Sequence, residues 1–223
     1  MIQFLDMEGA VAQRRSGEQL PRGRHQLTRE AVAAAQRSRL LDGVAEAVAD
    51  KGYAATTIGD VVAAAAVSRR TFYEQFPDIE SCFLAAYQAG MELLLDEIRA
   101  EVRRHPDADW RTRARISVEA YLRELSIRPA AAWAYSIEAI GAGAAVLEHR
   151  SGILARWEAQ WGGLARLARR EDRDLPEIPE DELLFLVGGI EELVRDCLRS
   201  RGADHLPELS ERISAIAIAA LGG

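Results

Sequence analysis

Residues Thr57–Phe76, TIGDVVAAAAVSRRTFYEQF, constrain this chain more than any other stretch, because they read as two short helices held at a tight turn. Thr57 caps the first helix, with Asp60 three residues on in the manner of a capping box. Ile58, Val61 and Val62 give that helix one apolar face. Ala65-Ala66-Val67 is the connection, and Ser68 has the side chain to open the second helix. There Phe72 and Phe76, four apart, share a face that turns inward. Arg69, Arg70, Thr71 and Tyr73 are left to the solvent side, where a helix-turn-helix presents its readers.

These residue types suit a DNA duplex. Arginine forks onto guanine, and a threonine methyl can touch a thymine methyl. Arg69, Arg70 and Thr71 are therefore assigned to base edges. Thr57, Ser68, Tyr73 and Gln75 are assigned to backbone positioning, with Arg37 as a further candidate. Read alone, the same cluster is equally a solvated helix start.

The surrounding residues narrow that choice. Arg37, Leu40-Leu41, Lys51-Gly52-Tyr53, Thr56-Thr57-Ile58, Val67-Ser68, Thr71-Phe72-Tyr73, Phe76 and Phe83 follow in order within Gln36–Tyr87. This series closely resembles the DNA-binding region of the tetracycline-repressor (TetR) family. The resemblance implies an all-α protein with an N-terminal three-helix helix-turn-helix domain. A larger C-terminal helical domain for ligand binding and dimerisation would follow, and this part of the chain matches the family only in length and helical character. Four positions depart from the family pattern. Ala66 stands at a usual glycine, Gly59 interrupts the first helix of the pair, Gln75 replaces a frequent histidine, and Ile79 replaces a common phosphate-binding lysine.

Net charge is −7, which on its face disfavours a nucleic-acid partner. The distribution decides otherwise. Residues 14–76 hold ten basic and seven acidic side chains, whereas residues 77–223 hold eighteen arginines and twenty-six acids. Phosphate responds to the local patch, so the motif sits in the only positive part of the chain. The excess is small, and the expected affinity comes largely from two copies acting together.

Helix formers dominate the 223 residues, of which 48% are apolar, and no long alternating run suggests strands. Residues 1–27 are expected to be a tail, with Arg22 and Arg24 in a basic arm that either reaches the DNA or is a plain charged segment. Residues 28–104 form the DNA-binding domain and a connecting helix, and 105–223 form the second domain. Expected helices run from Thr28 to about Asp50, Ile79 to about Arg104, Asp109–Ile127, Ala130–Ile140, Ala144–Arg170, Glu180–Arg201 and Pro207–Leu221.

In the second domain Tyr121, Trp133, Tyr135, Trp157 and Trp161 gather aromatics, with Glu138 or Arg156 as a lone polar group. They make either a small-molecule pocket, as the resemblance implies, or plain core. The last two helices carry an apolar stripe of Leu183, Val187, Ile190 and Val194, then Leu209, Ile213 and Ile216. The stripe makes either a four-helix homodimer bundle or a core within one chain.

Cys82 and Cys197 are far apart on apolar patterns and read as buried thiols in a reducing cytoplasm. No signal peptide or membrane span is expected, and no cofactor. His25, His105, His149 and His205 lack metal-ligand spacing, and no catalytic motif is evident. The expectation is a cytoplasmic, homodimeric regulator, most simply a repressor. It would bind a near-palindromic double-stranded operator and be released by a small apolar or aromatic effector. The alternative is an all-α dimeric interaction protein that has lost specific DNA binding.

Overall fold

The computed structural model of the chain describes residues 28–222, and the arm residues Arg22 and Arg24 lie outside them. Nine α-helices and no strand are found among the described residues. They are α1 (Arg29–Lys51), α2 (Ile58–Ala64), α3 (Arg69–Gln75), α4 (Ile79–Arg103), α5 (Trp110–Ser126), α6 (Pro129–Ser136), α7 (Ala144–Glu171), α8 (Glu180–Ser200) and α9 (Ser210–Ala220).

Local chemistry sets most of the boundaries. Thr28, Thr57, Ser68, Asp78 and Asp109 each accept a backbone N–H of the first turn through the side chain. Gly52, at φ +80°, stops α1 and leads into a 3-10 turn over Tyr53–Ala55. Two expected helices come out shorter. The helix expected over Ala130–Ile140 ends at Ser136, and Glu138–Gly141 form a 3-10 turn. The last helix starts at Ser210 because Ala203–Leu209, with Pro207 inside, forms a 3-10 segment.

One apolar cluster runs through the whole molecule. Leu40, Val44 and Val48 of α1 meet Val61, Phe72 and Phe83, and the cluster continues through Leu95 and Ile98 of α4 to Leu122, Val194 and Ile213. Helices α1 and α2 approach closely: a Cβ on Gly43 would lie 2.8 Å from the Ala65 nitrogen. Helix α1 also packs along α6, so the N-terminal helices join the rest through α6 as well as α4. At this seam Tyr135 lies against Phe83 and Tyr87, with ring centroids 5.9 and 5.3 Å away. A Cβ on Gly90 would fall 2.7 Å from the Tyr135 ring, which is why this position of α4 has none.

The stripe expected to pair two copies turns inward instead. Val187, Ile190, Val194 and Ile213 are buried in the chain's own core, and Leu183 and Leu209 are half-buried against it. Helices α8 and α9 close over α5 and α7, and that contact consumes the stripe. Of the seven residues expected at a dimer interface only Ile216 is exposed, at 44%. On α8 the large apolar side chains that face outward are Leu184 and Phe185, which lie off the stripe.

Candidate nucleic-acid interface and effector site

The helix pair α2–α3 is built as its residues dictate. Thr57 Oγ1 accepts the Asp60 N–H at 3.3 Å, and the Asp60 carboxylate accepts the Thr57 N–H at 3.0 Å, completing the capping box. Lys51 donates to the same carboxylate at 2.5 Å, tying the end of α1 to the start of α2. The Lys51 hydrogen bond first, then those donated by the Thr57 hydroxyl and N–H, hold the Asp60 carboxyl pKa at about 2. A carboxyl so depressed favours the fold above its ordinary pKa, and its contribution is lost as pH falls toward 2. Ser68 Oγ accepts the Thr71 N–H at 3.0 Å and opens α3.

Phe72 and Phe76 are buried beneath α3. The side chains of Arg69, Arg70 and Tyr73 stand in solvent, Tyr73 at 58% exposure, and Thr71 and Gln75 are half-buried. Arg70 pairs with Glu74 at 2.9 Å along the helix, a highly exposed contact worth only about 0.3–0.5 kcal/mol. Arg69 lies across the first turn of α2, where a Cβ on Gly59 would meet its Nη2 at 3.1 Å. Arg37 places its guanidinium 4.4 Å from the centre of the Phe76 ring, so it covers the base of α3 as well as facing solvent.

The turn between the two helices carries strain. Ala66 adopts φ +50°, and no other non-glycine among the described residues has positive φ. A left-handed alanine costs about 1–2 kcal/mol, part of which glycine returns as chain entropy on unfolding. Ala66→Gly should therefore stabilise the protein by about 0.5–1 kcal/mol in chemical denaturation. A midpoint that stays put or falls would show that the turn is relaxed as it is. Ile79, in the place of a basic residue, is half-buried against the core and offers no charge.

In the C-terminal half Tyr121, Trp157 and Trp161 come together in a narrow slot between α5, α7 and α8, with Tyr121 and Trp157 centroids 5.3 Å apart. Burial pushes the Tyr121 hydroxyl well above its ordinary pKa, so it stays a neutral donor. Trp133, Tyr135 and Glu138 do not line the slot. Tyr135 belongs to the α1–α4–α6 seam, and Trp133 packs half-buried on the core. Glu138 accepts the Tyr53 N–H at 2.9 Å, bridging from the turn after α6 to the turn after α1. Its partner is thus the N-terminal module, for which residue spacing gives no signal.

The slot has residues that helical spacing of aromatics does not reveal: Ser117, Gln160 and Glu191, with Val187 and Ile190 of the supposed dimer stripe. Its volume is only about 30 Å³. Glu191 is held by Arg150 at 2.7 Å and Arg195 at 3.2 Å. Gln160 Oε1 is buried and has no hydrogen-bond partner among the described residues. Neither a group of three metal-ligating side chains nor a helix long and apolar enough to cross a membrane is found among the described residues.

The family model described as bacterial regulatory proteins, tetR family, matches residues 40–86, which span α1 to the first part of α4. No curated protein matches the sequence. Among solved structures, the fatty acid degradation regulator FadR from Bacillus halodurans superimposes with TM-score 0.75 at 17% identity, over 84% of this chain and 95% of that one. FadR from Bacillus subtilis, in complex with stearoyl-CoA, gives 0.73 at 14% identity over 82% and 98%. A tetR-family bacterial regulatory protein from Rhodococcus RHA1 gives 0.66 at 22% identity over 84% and 97%. At such identities the superpositions show the fold, and the sequence match covers the helix-turn-helix module. Residues 40–86 thus match the tetR-family model, and the helical fold around them is the one seen in these regulators.

Proposed function

We propose that the protein is a homodimeric, effector-released repressor that binds a near-palindromic operator. The observation that carries this reading is α3 itself, with two phenylalanines anchoring it and two arginines and a tyrosine presented outward. Arg69, Arg70 and Thr71 meet base edges. Thr57, Ser68, Tyr73, Gln75 and Arg37 hold phosphates, helped by the N-terminus of α3.

Two copies join through the outer face of α8 and α9. Leu184, Phe185 and Ile216 are exposed there, and Cβ atoms on Gly188 and Gly189 would meet nothing within 4 Å among the described residues. A pair of mid-helix glycines costs about 1 kcal/mol each relative to alanine, and close approach of a second copy accounts for them. The two reading helices then enter major grooves about 34–36 Å apart.

The effector enters the aromatic slot. A slot of about 30 Å³ admits a ligand only as α5, α7 and α8 move apart. Both α5 and α7 pack on α4, and the turn after α6 carries the Glu138–Tyr53 hydrogen bond into the N-terminal module. A ligand that prefers the widened slot therefore shifts the population toward a head spacing that no longer matches the operator. An apolar or aromatic molecule fits the lining, and the stearoyl-CoA complex of the Bacillus subtilis structure supports an apolar chain here.

Selection of bound sequences from random DNA, followed by gel shift at physiological salt, tests the reading. The expected result is an inverted repeat bound at least about 1,000-fold more tightly than random sequence. Binding of all sequences alike would leave the alternative, a helical dimer that engages other proteins.

A further inference from the structure

Beside the aromatic slot, α4, α5 and α7 enclose a groove of about 550 Å³, and Arg156, expected at the aromatic pocket, lines this groove instead. Val102, Leu164 and Leu167 form its apolar floor. Five arginines stand around it: Arg99 and Arg103 from α4, Arg113 from α5, Arg156 and Arg170 from α7. Neither Asp nor Glu lines it among the described residues. This is a concentration of positive charge within residues 77–223, which carry eighteen arginines against twenty-six acids.

Most of those guanidinium groups are available. Arg103 and Arg170 are exposed and have no acidic partner among the described residues. Arg156 reaches Glu92 only at 3.9 Å, and Arg99 pairs with the exposed Asp96 at 3.3 Å. Arg113 differs, donating to the carbonyls of Ala108 at 2.8 Å and Pro106 at 2.6 Å, and so shapes the wall. Guanidinium groups gathered around one concavity repel one another, and a multiply charged anion relieves that repulsion while matching their forked donors.

The groove and the slot are neighbours with a shared wall. Ser117 and Gln160 line both, and the unpaired Gln160 Oε1 sits at the junction. Resting on the effector reading above, we propose that this bipartite site takes an amphipathic anion. Its apolar chain enters the slot, a hydrogen-bond donor near the junction meets Gln160, and a phosphate-bearing head lies on Arg103, Arg156 and Arg170. Acyl-CoA thioesters and isoprenoid diphosphates both have this chemistry.

Calorimetric titration of the full-length protein tests the site. Palmitoyl-CoA and farnesyl diphosphate are compared with palmitate and farnesol, which lack phosphates, and with coenzyme A and pyrophosphate, which lack the chain. At least one phosphate-bearing amphiphile should bind at least tenfold more tightly than both its phosphate-free and its chain-free counterpart; which one does so identifies the source of the head. That gap should collapse in the Arg103→Ala/Arg156→Ala/Arg170→Ala variant, whose three positions are exposed. Single reversals, Arg103→Glu and Arg170→Glu, serve if the triple variant does not fold. Equal binding of palmitate and farnesol, a gap that survives the arginine changes, or no binding by any of the six overturns the bipartite site. The regulator reading fails separately, if the amphiphile binds with the expected gap yet operator affinity in gel shift is unchanged.

Discussion

Arg69→Ala and Arg70→Ala should each weaken binding to the selected operator by about 1–3 kcal/mol, roughly 5- to 150-fold, while leaving the melting temperature nearly unchanged. Both side chains are exposed and contribute nothing to the core, so folding does not confound the measurement. Magnitudes favour the DNA contact over the one visible competitor. The Arg70–Glu74 pair is worth a few tenths of a kcal/mol, several times less than a bidentate arginine–guanine contact. Each loss should be confined to the base pairs that arginine reads, so affinity for random DNA should fall much less. Tyr73→Phe removes a hydroxyl assigned to phosphate and should weaken all sequences alike. Operator affinities within twofold of wild type for both arginine variants would place base reading elsewhere on the molecule.

Where function rests on local sequence, the chain was legible before its structure. Caps at Thr57 and Ser68, the inward phenylalanines and the stop at Gly52 all depend on interactions within a few residues. Such interactions leave a pattern in the sequence. Ala66, singled out as an alanine in place of glycine, does adopt the left-handed backbone that makes glycine usual there.

What could not be read is what depends on contact between distant segments. Helical periodicity marks Val187, Ile190 and Val194 as one apolar face, but it carries no information on whether that face meets α5 and α7 or another copy. Glu138 bonds to a backbone amide 85 residues away, which no spacing rule reaches. The arginines of the groove look, in sequence, like the solvated sides of three helices. Only the packing of α4, α5 and α7 turns those sides toward one cavity.

Phe185→Glu should have the largest effect of any single exposed substitution. Phe185 is 83% exposed in the isolated chain, so a charge there costs the monomer almost nothing. In a dimer joined through α8 and α9 the same charge is desolvated among Leu184, Ile216 and the flat surface over Gly188-Gly189. Sedimentation should show a dimer becoming a monomer, with helical content by circular dichroism retained. Operator affinity should then fall by at least about 100-fold, because two linked heads gain that much or more over one through effective concentration. Affinity for a single half-site should be unaffected, which separates loss of pairing from damage to α3. Val187→Glu gives the contrasting result: that side chain is 4% exposed within the chain, so the charge should unfold the second domain rather than divide a dimer. If Phe185→Glu sediments as wild type and holds the operator equally well, the two copies must join through some other face, and the glycine pair in α8 loses its explanation.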